Sequence, residues 1–179
     1  MPRERTHLRY QLYKSQARKQ ASITTARLQN ELEQTGAFDI ELSRVRFEAI
    51  DAQALNAYDQ WGDTHFSWHD VTGWKAREPM CFDLAIWFDQ ELCGLCFANP
   101  NQSRLRVKIV RLEGKPANDH PLKRHVATLT LTAVTHFARI IGSEQIEIQE
   151  PLEGAITLYQ QLGFEFDMEG RLVMLVEYD

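Results

Sequence analysis

This chain predicts an α/β fold in which helices cover a mixed, mostly antiparallel sheet, and three observations support it. Two neighbouring segments alternate as a hairpin: Leu84, Ile86 and Phe88 interleave with Asp83, Ala85 and Trp87, and Asp89-Gln90-Glu91 turns the chain into Leu92 to Ala98. Apolar residues then recur at Val126, Leu129, Ala133, Phe137 and Ile140, three or four apart, which is a helix with one buried stripe. A strand follows that helix, Ile146 and Ile148 alternating with Gln145, Glu147 and Gln149, so strands and helices interleave as they do when helices lie on a sheet. At 179 residues the chain has the length of one domain and can bury about 70% of its unfolded surface without disulfide or metal staples.

The remaining elements follow in chain order. Residues 8 to 34 set Leu8, Leu12, Ile23, Leu28 and Leu32 among long polar side chains, giving one or two weakly amphipathic helices that Gly36 can stop. The spacing breaks around Ser15 to Gln20, which speaks against a coiled coil. Residues 1–36 therefore read as an N-terminal helical extension, docked on the body or on a second subunit of a homodimer, and 37–179 as the domain proper. Phe38 to Ile50 alternates loosely as a first strand, and Ala52 to Tyr58 is a short helix. Trp61 to Trp74 holds three of the four tryptophans without a clear period, as an aromatic loop would. After Asn99-Pro100-Asn101 a third strand puts Leu105, Val107 and Ile109 on one face, then Val110 and Leu112 on the other. Strand side chains alternate strictly, so this one-residue slip marks a β-bulge near Ile109 and Val110. Gly142 can end the long helix in a left-handed conformation. Ala155, Leu158, Tyr159 and Leu162 form a second helical stripe ended by Gly163, and Phe164 to Asp179 holds a hairpin around Glu169-Gly170.

Charge and composition narrow the function classes. The chain has 20 basic and 25 acidic residues, but six basic side chains against Glu4 in residues 1 to 20 leave the rest strongly acidic. An acidic body disfavours a large nucleic-acid footprint, although the basic arm can still meet phosphates or an acidic partner. Uncharged apolar runs such as Leu84 to Phe88 fall far short of the ~18 residues of a membrane span. The first residues lack the apolar core of a secretory signal, so the cytoplasm is the expected compartment. Three cysteines, an odd number, argue against a disulfide framework.

The second half carries a resemblance. Leu158-Tyr159-Gln160-Gln161-Leu162-Gly163-Phe164 is similar to the closing helix of the GNAT superfamily of CoA-dependent N-acetyltransferases, whose LY-x-x-LGF pattern ends in glycine and an aromatic residue. The slipped strand followed by the helix from Val126 to Ile141 resembles that family's acetyl-CoA unit, in which a bulge splays two parallel strands around the pantetheine arm. The resemblance covers about residues 82 to 179 and implies acyl transfer from acetyl-CoA, or another acyl-CoA, to a small-molecule or peptide amine. The family's pyrophosphate signature, Arg or Gln, two residues, Gly, one residue, then Gly or Ala, falls on Leu122, Lys123, Arg124, His125, Val126 and Ala127. Ala127 fits, while Leu122 and His125 depart. A helix N-terminus still offers free N–H groups and about half a positive charge to an anion. Lys115, His120, Lys123, Arg124 and His125 add cationic groups there. The resemblance therefore assigns Val110, Leu112, Lys123, Arg124, His125, Val126 and Ala127 to the cofactor. The alternative is a solvated loop whose helix starts near Pro121, capped by Asp119 or His120.

Tyr159 matches the tyrosine that faces the thioester sulfur as general acid in many of these enzymes, and it also suits plain packing beside Leu158 and Leu162. Glu113 and Glu150, at consecutive strand ends, are the candidates for the base that takes a proton from an ammonium, through water. Trp61, Trp68 and Trp74 either pack the core or wall the acceptor groove. Asp63, His65, His69 and Asp70 lack the glutamate of the helical zinc motif, so no metal is assigned. Cys93 and Cys96, three apart in a strand, are expected on opposite faces as two small buried residues. Two rival functions stay open: a non-catalytic GNAT-fold module that senses CoA or binds a partner, and an interaction protein working through its basic arm.

Overall fold

The computed structural model describes residues 2–36, 40–117 and 119–178. One seven-stranded sheet organises them, in the order β1 (Val45–Glu48), β2 (Phe82–Phe88), β3 (Glu91–Pro100), β4 (Arg106–Gly114), β5 (Gln145–Ile148), β7 (Leu172–Leu175) and β6 (Glu165–Phe166). Every neighbouring pair is antiparallel except β4 and β5, which are parallel because a helical crossover joins them. That crossover is α4 (Val126–Ile141), whose buried Val126, Leu129, Ala133, Val134 and Phe137 realise the stripe seen in the sequence. Gly142 ends it at φ 78°, a left-handed cap that a side chain would strain.

Helices cover both faces. On one, α4, α1 (Pro2–Thr35) and Tyr159 of α5 (Ile156–Gln161) share a core with Phe82, Leu84, Val107 and Ile146. On the other, α2 (Ala52–Tyr58) and α3 (Asp70–Arg77) join the tryptophan-rich loop over Ala85, Leu95 and Phe97. Asp51 starts α2 as an N-cap, accepting from the Ala54 N–H at 2.9 Å. The expected aromatic loop is thus helical from Asp70 onward. No helix among the described residues is long and apolar enough to cross a membrane.

The first helix departs most from expectation. It runs unbroken through Ser15 to Gln20, and Leu8 and Leu12 are 64% and 63% exposed, with Ile23 and Leu28 also outward. The buried face is instead Tyr10, Lys14, Ala17, Ala21, Thr25 and Gln29, which lies along α4 and β1. Small and polar residues fill this seam because partners wait for them. Arg18 donates to the Asp83 carboxylate at 3.1 Å, Thr24 bonds His136 at 2.8 Å, and Gln29 accepts from the Leu42 N–H at 2.6 Å. The basic arm accordingly turns Lys14 and Arg18 inward.

Other expectations shift locally. The first strand is shorter, Val45–Glu48, and Phe38 lies outside the described residues. Leu105 precedes β4 and is exposed, and Leu158 faces out of α5. Cys93 and Cys96 both face the α4 side, because β3 gains a residue against β2 where Ile86 pairs Gly94 and Trp87 pairs Leu92. That bulge at Cys93 resets the alternation on which opposite faces depended.

Candidate functional site

β4 and β5 pair from Arg106 and Gln145 to Ile109 and Ile148, and then separate. The last bond between them is donated by the Gln149 N–H to the Ile109 carbonyl, at 3.0 Å. The cause is the expected bulge. Phe97 pairs with Arg111 but Ala98 with Ile109, so Val110 is the extra residue. Val110 and Arg111 both lean toward the tryptophan side, where Val110 joins that core and the Arg111 guanidinium lies 4.4 Å over Trp74. Ile109 and Leu112 face α4. Beyond the bulge β4 continues against β3 alone, while the chain leaving β5 turns off at Glu150, φ 47°.

A narrow cleft of about 60 Å³ opens in this fork, lined by Val110, Leu112, Ile148, Glu150, Tyr159 and Phe66. Tyr159 is buried edge-on to Phe164 at 5.8 Å, and its hydroxyl takes no hydrogen bond from other described residues. Burial, helped by nearby Cys96, pushes its pKa up to about 12. Burial likewise pushes the Cys93 thiol up to about 11 and raises Cys96 further.

The start of α4 sits against the same strand end. Val126 packs over the cross-strand pair Gly94 and Gly114, and a Cβ on Gly94 would come within 2.5 Å of Val126 Cγ1. The helix begins at Val126 rather than Pro121, and no side chain caps it: His125 occupies the N-cap at φ −111° without a side-chain capping hydrogen bond. His125 lines a small apolar cavity of about 180 Å³ with Leu28, Leu32 and Leu42. Arg124, one residue before the position where the family pattern has glycine, takes the left-handed conformation at φ 73°. Leu122 departs from that pattern because it is fully buried in the core. Of the five cationic groups, Lys115 pairs with Glu91 at 3.2 Å and His120 is buried, its pKa lowered chiefly by burial. Lys123, Arg124 and His125 remain exposed at the helix start.

The other candidates divide. Glu113 accepts from the His65 N–H at 2.7 Å, the Phe66 N–H at 3.3 Å and the Trp68 indole N–H at 2.8 Å, so it anchors the aromatic loop and does not line the cleft. Trp68 is fully buried and Trp61 nearly so, its indole donating to the Leu92 carbonyl at 3.2 Å. Trp74 walls a groove of about 320 Å³ beside the cleft that also takes in Arg77, Lys108 and Gln149. Sequence reasoning missed these last three. The available signal was Lys108, a charge in mid-strand between Val107 and Ile109. His69 bonds Asp59 at 2.6 Å, and the His65 ring packs edge-on to Phe66 at 4.6 Å.

No family model matches the chain, and no curated protein does. Solved structures do. The ribosomal-protein-S18-alanine N-acetyltransferase of Escherichia coli superposes with a TM-score of 0.53 at 13% identity, over 75% of this chain and 96% of that one. A chimera of the Vibrio cholerae spermidine N-acetyltransferase SpeG and hSSAT gives 0.55 at 16% identity, over 74% and 96%. The yncA protein of Salmonella typhimurium, solved with its cofactor acetyl-CoA, gives 0.50 at 14%, over 76% and 96%. With strands forked at a bulge and a helix opening beside them, the chain has the fold of the GNAT N-acetyltransferases.

Proposed function

We propose that the chain is an acyl-CoA-dependent N-acyltransferase, acetyl-CoA being the expected donor, that acts on a primary amine. The observation that carries this is the parting of β4 and β5 at Val110, next to the uncapped start of α4. Acyl-CoA, when bound, supplies an acyl thioester and a diphosphate. The amides of Val126 and Ala127, together with Lys123 and Arg124, suit the diphosphate, since a helix start favours anions and basic side chains add charge-assisted bonds. Val110 and Leu112 offer the cleft's strand edge to the pantetheine arm.

Tyr159 lines the cleft where a leaving thiolate needs a hydrogen-bond donor. With its pKa near 12 and a thiol's ordinary value near 8.5, full proton transfer is uphill by roughly 5 kcal/mol. Its work is therefore donation of a hydrogen bond, not surrender of the proton. Glu150 is the carboxylate of the cleft and the better-placed proton acceptor, through water, for an incoming ammonium. Glu113 serves the site by holding the loop that contributes Phe66.

Calorimetric titration with acetyl-CoA, followed by thiol release with a panel of amines, tests this reading. Micromolar binding with amine-dependent release is expected, and no binding would end it. Tyr159→Phe should slow acyl transfer about tenfold or more with little change in cofactor affinity, the scale of one hydrogen bond to a charged group. Charge reversal at Lys123 and Arg124 should weaken binding, and an unchanged Kd would move the phosphate site elsewhere. The narrowness of the cleft, about 60 Å³, favours a second reading, a non-catalytic module that senses CoA. Binding without thiol release from any amine would select it.

A further inference from the structure

Resting on the acyltransferase reading, we infer that the acceptor is a small amine that carries a carboxylate of its own, held in the groove beside Trp74. That groove shares Val110 and Gln149 with the cleft, so a molecule in it lies next to the reacting end of the thioester site. Its volume, about 320 Å³, is at the small end of ligand pockets, which run from about 300 to 1,000 Å³.

The charges are what single it out. The chain as a whole carries −5, yet Arg77 and Lys108 face this groove and neither has an ion-pair partner among the described residues. Nearby cations are paired: Arg106 with Glu147 at 3.3 Å, Arg111 with Asp70 at 3.4 Å and Lys75 with Asp83 at 3.0 Å. Lys108 is half-buried in the middle of a strand, and its register neighbour Glu147 is already paired with Arg106, so its ammonium is open to a carboxylate brought by a ligand. Asn99, the cross-strand partner of Lys108, and Gln149 add side-chain amides that can donate to the same group. Glu78 also lines the groove and still leaves it one net positive charge against Arg77 and Lys108, and Trp74 with Phe97, ring centroids 5.1 Å apart, forms an apolar wall. A polyamine would set its own charges against Arg77 and Lys108, so the groove discriminates against it by repulsion.

Phenylalanine, phenylalaninamide and spermidine are suitable probes for calorimetric titration of the full chain with CoA present. Phenylalanine should bind at least tenfold more tightly than its amide, the scale of one charge-assisted hydrogen bond, and more tightly than spermidine. Lys108→Met should cost phenylalanine roughly tenfold while moving the amide less than threefold, and Lys108→Arg should keep the preference. Equal binding of acid and amide, or preference for spermidine, overturns the inference. Titration of the same sample with acetyl-CoA separates the two failures. If acetyl-CoA binds and no acid preference appears, this inference falls alone; if acetyl-CoA does not bind, the acyltransferase reading falls and this inference goes with it.

Discussion

Glu113 sits at the end of a strand beside the fork, where a base would be wanted, and its oxygens are already occupied by two loop amides and an indole. Hydrogen bonds to a charged group are worth about 1.5–3 kcal/mol each, and removing the carboxylate leaves buried Trp68 with an unsatisfied N–H. Glu113→Ala should therefore destabilise the fold by roughly 2–3 kcal/mol in urea unfolding. A variant of wild-type stability but without acyl transfer would restore Glu113 as the base. Tyr159 is the opposite case, a polar group kept neutral by burial. Its folded pKa lies above the ordinary value of about 10, so the stability it contributes is complete below pH 10 and is lost as pH rises through about 12. No alkaline limb in the rate profile near pH 10 should trace to this residue. A limb there that vanished in Tyr159→Phe would contradict the burial argument.

At the scale of elements, the bulge at Val110 and the glycine pair beneath α4 together place a helix start against a strand fork. Val126 lies close to Gly94, and an added methyl there meets Val126 at 2.5 Å, whereas at Gly114 the nearest approach is an ordinary 3.5 Å. Gly94→Ala should thus cost about 1–3 kcal/mol, as overpacking does, while Gly114→Ala stays near neutral. Thermal melts of both compare them directly, and Val126→Ala in the Gly94→Ala background should recover much of the loss. Equal effects at the two glycines would mean that α4 is seated differently. The bulge was legible because it leaves a phase slip among apolar residues. The second bulge, at Cys93, left none, since Cys93, Gly94 and Cys96 are too small and too neutral to show a phase.

Across the whole molecule, Asp83 ties three elements together: Arg18 of α1, Lys75 of α3 and the Ile50 N–H before α2 all converge on a carboxylate that is 1% exposed. Burial alone would raise its pKa, but the two cations overrule burial and hold it below the usual carboxylate range. Burial lowers the pKa of Arg18 despite that attraction, yet its ordinary value is high enough for it to stay charged. With a depressed folded pKa, Asp83 gives its full stability above its unfolded value of about 3.9 and loses it as pH falls below that. Asp83→Asn, which strands Arg18 and Lys75, should cost about 3–5 kcal/mol and flatten the acid limb of a stability–pH curve. An unchanged midpoint would show that α1 is held by its apolar contacts alone. By itself the sequence determined the order of strands and helices, the slip at Ile109 and Val110, and the stops at Gly142 and Gly163, because each rests on local periodicity or backbone freedom. Tertiary structure alone decided which face of α1 is buried, that Glu113 anchors a loop, that Trp61 and Trp68 are core while Trp74 faces a groove, and that Arg77 and Lys108 share that groove. Those outcomes depend on partners dozens of residues away, and a side chain's neighbours across a sheet leave no trace in its own stretch of chain.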